Sequence, residues 1–154
     1  MKTKLLLAVA ATLWCVSPGV AGNKAEYPTE KVAAFVVEKL DVTSLPSVFR
    51  PKKENGKKTF ADYGFTTQTM DENKAVIEVP GGAKRLVIKI LDQQSSGIYV
   101  CVAEPGENGG QVKTQSVIFL KRKDSNALLK GRETFREFAA CPVIGGSDSA
   151  ANSY

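Results

Sequence analysis

Hydrophobic and polar residues alternate along the middle of the chain with the period of a β-strand. In residues 74–79 the apolar positions are Ala75, Ile77 and Val79, and in residues 84–90 they are Leu86, Ile88 and Ile90. Successive side chains of an extended chain point to opposite faces, so each run predicts a strand with one buried face. Gly81-Gly82 between them predicts a tight hairpin turn. Residues 98–103 are apolar on both faces, with Ile98, Val100 and Val102 on one and Tyr99, Cys101 and Ala103 on the other. A strand buried on both sides belongs in the centre of its sheet. Residues 115–120 repeat that character through Val117, Ile118, Phe119 and Leu120, and Asn108-Gly109 lies between the two runs as a turn signal. Asn55-Gly56 is a third such signal.

Two segments carry a helical period instead. In residues 125–140 the apolar positions are Leu128, Leu129, Phe135, Phe138 and Ala139, with Ser125 as an N-cap and Pro142 as a stop. This predicts a C-terminal helix, weakened by about 1 kcal/mol at Gly131 relative to alanine. Residues 27–40 read both ways. Val32, Phe35, Val36 and Leu40 fit one helical face, while the β-branched density of Val32, Val36 and Val37 suits a strand equally.

The first residues read as a processing signal. Lys2 and Lys4 precede an apolar run in residues 5–14, and Ser17-Pro18-Gly19-Val20-Ala21 supplies small residues for cleavage. The run is shorter than the roughly 20 residues that span a bilayer. The expected organisation is a signal peptide over residues 1–22, one β-rich domain over residues 23–144, and a flexible polar tail over residues 145–154. The mature chain is then secreted, or periplasmic in a bacterium, with no transmembrane segment. Cleavage removes Cys15 and leaves Cys101 and Cys141. Two cysteines in an oxidising compartment most simply form one disulfide, here one that staples the C-terminal helix to the central strand. The alternative is a free thiol or a bond to another chain.

Composition narrows the function. The chain has 21 Lys and Arg against 16 Asp and Glu, and no histidine. Without Lys2 and Lys4 the balance is 19 against 16, a net of +3, too mild to predict nucleic-acid binding. The absence of histidine removes the usual base of a serine or cysteine nucleophile and the commonest zinc ligand. No catalytic residues, metal or cofactor are expected, and the reading is of a protein that is not an enzyme.

The run Leu86 to Cys101, with Ile88, Leu91 and then Ser96-Gly97-x-Tyr99-x-Cys101, resembles strands E and F of an immunoglobulin-like domain. In that family a tyrosine two residues before a core cysteine ties the turn to the backbone through its hydroxyl. The resemblance covers roughly residues 74–120 and implies a mainly β, antiparallel sandwich, with Gly97 and Tyr99 as its structural corner. It departs from the family in having no earlier mature cysteine, no tryptophan after Trp14, and Ser95 where aspartate often stands. A strand ending in Lys121-Arg122, a following helix with Phe135 and Phe138, and a late cysteine are similar to the tail of lipocalins. That alternative implies a small β-barrel carrying an apolar ligand.

The immunoglobulin resemblance implies recognition, and the expected function is a secreted binding module for an extracellular protein partner. Two sites are candidates. Glu104, Glu107, Asn108 and Gln111 lie on the loop between the two most apolar strands, where a rigid scaffold presents binding residues. Arg50, Lys52, Lys53, Lys57 and Lys58 cluster around a proline and a turn, and such a patch suits a sulfated glycan or another anionic surface. The competing reading of that patch is a solvated hairpin whose lysines keep a sheet edge from pairing.

Overall fold

The computed structural model describes residues 25–82, 84–106 and 112–142. The predicted signal peptide, the tail over residues 145–154, and Glu107, Asn108 and Gln111 lie outside the described residues. The protein is mainly β. One helix, α1 (Val32–Lys39), leads into β1 (Leu40–Asp41) and a 3-10 turn (Val42–Ser44). Then follow β2 (Thr66–Met70), β3 (Lys74–Glu78), β4 (Arg85–Gln94), β5 (Gly97–Glu104), β6 (Thr114–Lys121) and β7 (Leu129–Glu133). All seven join one curled, half-barrel sheet in the order β1-β7-β6-β5-β4-β3-β2. The described residues therefore do not divide into the two facing sheets of a sandwich.

The alternating runs fold as read. Ala75 and Ile77 on β3 face Ile88 and Leu86 on β4, and all four are buried. Gly81 and Gly82 at φ 89° and 71° make the turn between them, a region that glycine enters without steric cost. β5 holds the fourth of seven places, paired along its length with β4 and β6. Its two-sided burial follows from that place: Ile98, Val100 and Val102 enter the main core, and Cys101 enters a second cluster on the opposite face.

Within residues 27–40 only Val32–Lys39 is helix, and Leu40 already begins β1. Val32, Ala33 and Val36 bury one face of α1 against the core, and the Leu40 N–H donates to Val36 O as the chain turns into β1. Contact with the sheet overrides the weak helix preference of valine. The same face of the sheet is covered by Leu45, Phe49, Phe60 and Tyr63 from residues 42–65. β1 runs parallel to β7 and the other pairs are antiparallel, so the sheet is mixed.

The C-terminal helix is not formed, and this corrects the reading of residues 125–140. Asp124 Oδ1 accepts from the N–H groups of Asn126 and Ala127, a side-chain turn that sends the chain back along β6. Residues 129–133 then pair as β7, with Leu129 in the core. Gly131 explains the choice. Its N–H donates to Ser44 Oγ at 2.7 Å, and a Cβ there would sit 2.9 Å from Ile118 Cγ2. Phe135, placed on the buried face of the expected helix, is 99% exposed.

Residues 134–142 instead form an irregular strap over the second face of β5. Cys141 is bonded to Cys101, with Cα atoms 5.7 Å apart. Phe138 packs against Tyr99 at 5.5 Å between ring centroids, and the Arg136 guanidinium lies 4.8 Å over the same tyrosine. At the other end of the described chain, the buried Arg122 stacks on Tyr27 at 5.4 Å and Phe35 at 4.9 Å. Its backbone N–H donates to the Tyr27 hydroxyl, so the N-terminal segment is clasped to the end of β6.

Candidate anion-binding groove

The segment between the 3-10 turn and β2 has no regular structure, yet it is well anchored. Asp41 opens the turn by accepting from both the N–H and the hydroxyl of Thr43, at 3.1 and 2.6 Å. Ser44 donates to Asp41 O and accepts from Gly131 N–H, which locks the turn onto β7. The N–H groups of Phe49 and Arg50 both donate to Pro46 O, and the buried Phe49 ring fixes that corner. Pro51 follows at once and forbids continuation as a helix. Farther on, Val42 N–H donates to Lys58 O, the Tyr63 hydroxyl accepts from Glu54 N–H, and Phe60 is buried.

This path leaves a groove of about 460 Å³ lined by Thr43, Ser47, Arg50, Pro51, Lys52 and Lys53. Among the described residues three cations line it and no carboxylate does. Glu54, next to Lys53 in sequence, pairs with Lys57, and Asp41, two residues before Thr43, is buried and committed to Thr43. Arg50, Lys52 and Lys53 make no ion pair among the described residues. Clustered positive charge on a partly enclosed surface raises the local concentration of anions, and arginine adds a planar fork suited to sulfate or phosphate oxygens.

The structure divides the five basic residues singled out from sequence. Arg50, Lys52 and Lys53 come together; Lys57 and Lys58 do not join them. Lys57 pairs with Glu54 at 2.8 Å and lies 5.5 Å over the Tyr63 ring. The Glu54 carboxylate raises its pKa above the ordinary lysine value. Lys58 is exposed, and its backbone is what the fold uses: its N–H and that of Thr59 donate to Asp62 at 2.9 and 2.8 Å. Those backbone bonds, Thr59 first, hold Asp62 below the usual carboxylate pKa. The stabilisation is present above that usual value and is lost as pH falls through the lowered one. Thr43 and Ser47 were not legible as site residues. Nothing in their sequence marks them beyond a turn composition.

The other sequence candidates sit elsewhere. Glu104 is buried at the end of β5, 3.3 Å from Lys84 Nζ, and its carbonyl accepts from Lys113 N–H across the base of the loop. Gly97 opens β5 where backbone and ring atoms of β6 approach closely. Tyr99 is half-buried against Phe119 at 4.7 Å and Phe138. Among the described residues its hydroxyl makes no hydrogen bond to an upstream backbone group, so the corner expected from the immunoglobulin resemblance is not built there.

Comparison with family models, curated proteins and solved structures finds no match. The groove must be read from its own chemistry. Among the described residues no helix is long and apolar enough to cross a membrane.

One consequence concerns Tyr99 directly. Tyr99→Phe keeps both ring contacts and the cation over the ring, so its unfolding free energy from urea denaturation stays within about 0.5 kcal/mol of the parent. A loss of about 1–3 kcal/mol, the range for stranding a buried polar partner, would restore the corner.

Proposed function

We propose that this chain is a secreted, non-enzymatic binding module that engages an extracellular macromolecule through anionic groups, with a sulfated glycan as the ligand class. The observation that carries the reading is the groove itself: Arg50, Lys52 and Lys53 converge on one concavity with no carboxylate among its described lining residues. Anchoring by Phe49, Phe60 and the Asp41–Thr43 turn preorganises it, so little ordering is spent on binding. The carrier alternative would require an open apolar interior. Here α1, Leu45, Phe49 and Phe60 fill the core face of the sheet.

The test is equilibrium binding of the full chain to a soluble sulfated oligosaccharide at low and high salt. Replacing Arg50, Lys52 and Lys53 together by alanine weakens binding at least about tenfold and flattens its salt dependence, since exposed charge pairing is screened by salt. Replacing Lys57 and Lys58 by alanine leaves most of the affinity, because Lys57 already has Glu54. Equal losses in the two variants would remove the groove as the site.

A further inference from the structure

The second face of the sheet carries a different arrangement. Cys101 on β5 is opposite Lys89 on β4 and Val117 on β6, and Lys89 is opposite Lys74 on β3. Two residues along β6, Phe119 is opposite both Tyr99 and Arg132, and two further along Lys121 is opposite Lys130 on β7. Alternation places all of these on the face away from the main core. Like charges directly opposite one another on a sheet are destabilising, yet this face has two such pairs, Lys74 with Lys89 and Lys121 with Lys130.

All four lysines and Arg132 are exposed, and none makes an ion pair among the described residues. Two carboxylates near this face are engaged, Asp92 at 3.9 Å from Arg136 and Glu78 accepting from Gln68 Nε2 at 2.5 Å, while the exposed Asp71 and Glu72 precede Lys74 in the turn from β2. The exposed Glu137 on the strap opposes the trend. Between the two lysine pairs runs the strap, fixed by Cys141 and Phe138, and it presents Phe135 at 99% exposure. From β3 to β7 is four strand spacings, about 19 Å.

We infer that this second face docks on an anionic phospholipid surface, with Phe135 entering the headgroup region and the lysine pairs on either side meeting lipid phosphates. A broad, two-dimensional array of negative charge relieves both opposed pairs at once, and phenylalanine is among the apolar side chains that bury at the boundary of headgroups and acyl chains. A protein pocket could receive Phe135, but it would answer only one of the two flanking cation pairs. The surface is distinct from the groove and does not depend on it.

The experiment is co-sedimentation of the full chain with vesicles of phosphatidylcholine alone or mixed with phosphatidylglycerol. The chain pellets with the mixed vesicles and not with the neutral ones. Phe135→Ser, and separately Lys121→Glu with Lys130→Glu, each cut the bound fraction several-fold, and by more than the triple alanine variant at Arg50, Lys52 and Lys53 does. A Phe135→Trp chain, read against the parent as blank, shifts its emission to shorter wavelength on the mixed vesicles. Absence of binding to mixed vesicles overturns the inference. So does loss of binding in the groove variant with retention in the two face variants, which would assign vesicle capture to the groove. Binding by all variants without an emission shift at residue 135 overturns it as well.

Discussion

Replacing Cys101 and Cys141 together by alanine is expected to lower stability by about 4 kcal/mol. The two residues are 40 apart in sequence, and closing a loop of that length removes about that much entropy from the unfolded chain. A second contribution adds to it. The bond holds the strap over Val117, Tyr99 and Leu91, and Phe138 packs there only while the strap is in place. The loss should therefore appear with increased binding of a hydrophobic dye to the folded variant. Urea denaturation under non-reducing conditions measures the first effect, and peptide mapping of the parent confirms the pairing. A stability change below about 1 kcal/mol would mean that the strap is held without the bond.

The second large effect is expected at Gly97. A Cβ on that residue would lie 2.4 Å from the backbone oxygen of Leu120 and 2.6 Å from the Phe119 ring. The nearest obstacle is main chain in a paired strand, so it cannot swing aside as the end of a long side chain does. Gly97→Ala must separate β5 from β6 at the end where Ile98 pairs with Leu120, two fully buried core residues. About 3 kcal/mol of stability is lost, the upper end for overpacking a core. Gly81→Ala serves as the comparison. Nothing lies within 4 Å of a Cβ there, so only its positive φ, 89°, opposes the change, at about 1 kcal/mol. Equal losses at Gly97 and Gly81 would show that the close approach of β6 contributes nothing.

Gly97 stood out in the sequence for its place before Tyr99 and Cys101, and the structure gives it a different reason to be glycine. The strands themselves were more readable. Alternation at Ala75 and Ile77, then at Leu86 and Ile88, is a local signature of one buried face, and the double-sided run in residues 98–103 marked the centre of the sheet. Pairing between Cys101 and Cys141 was readable by elimination once a leader was assumed. The C-terminal segment was not readable. Leu128, Leu129, Phe135 and Phe138 have helical spacing, and what defeats the helix is nonlocal: Ser44, 87 residues away, accepts the Gly131 N–H.

The site was half readable for a similar reason. Charge density in residues 50–58 is a property of sequence alone. Which cations remain free is a property of the fold, because Glu54, the sequence neighbour of Lys53, pairs instead with Lys57 across the turn. Thr43 and Ser47 join Arg50 only because the 3-10 turn is locked to β7. The run of residues around Tyr99 resembles a sandwich strand, while the described residues form one sheet with no facing partner sheet over that tyrosine.

The anion-binding groove is tested most directly by NMR chemical-shift mapping of the isotope-labelled chain during titration with a soluble sulfated oligosaccharide. Saturable shifts are expected, centred on Thr43, Ser47, Arg50, Lys52 and Lys53, with the amides of β3 and β4 unmoved. Shifts absent from those residues, or centred instead on Lys57 and Lys58, would contradict it.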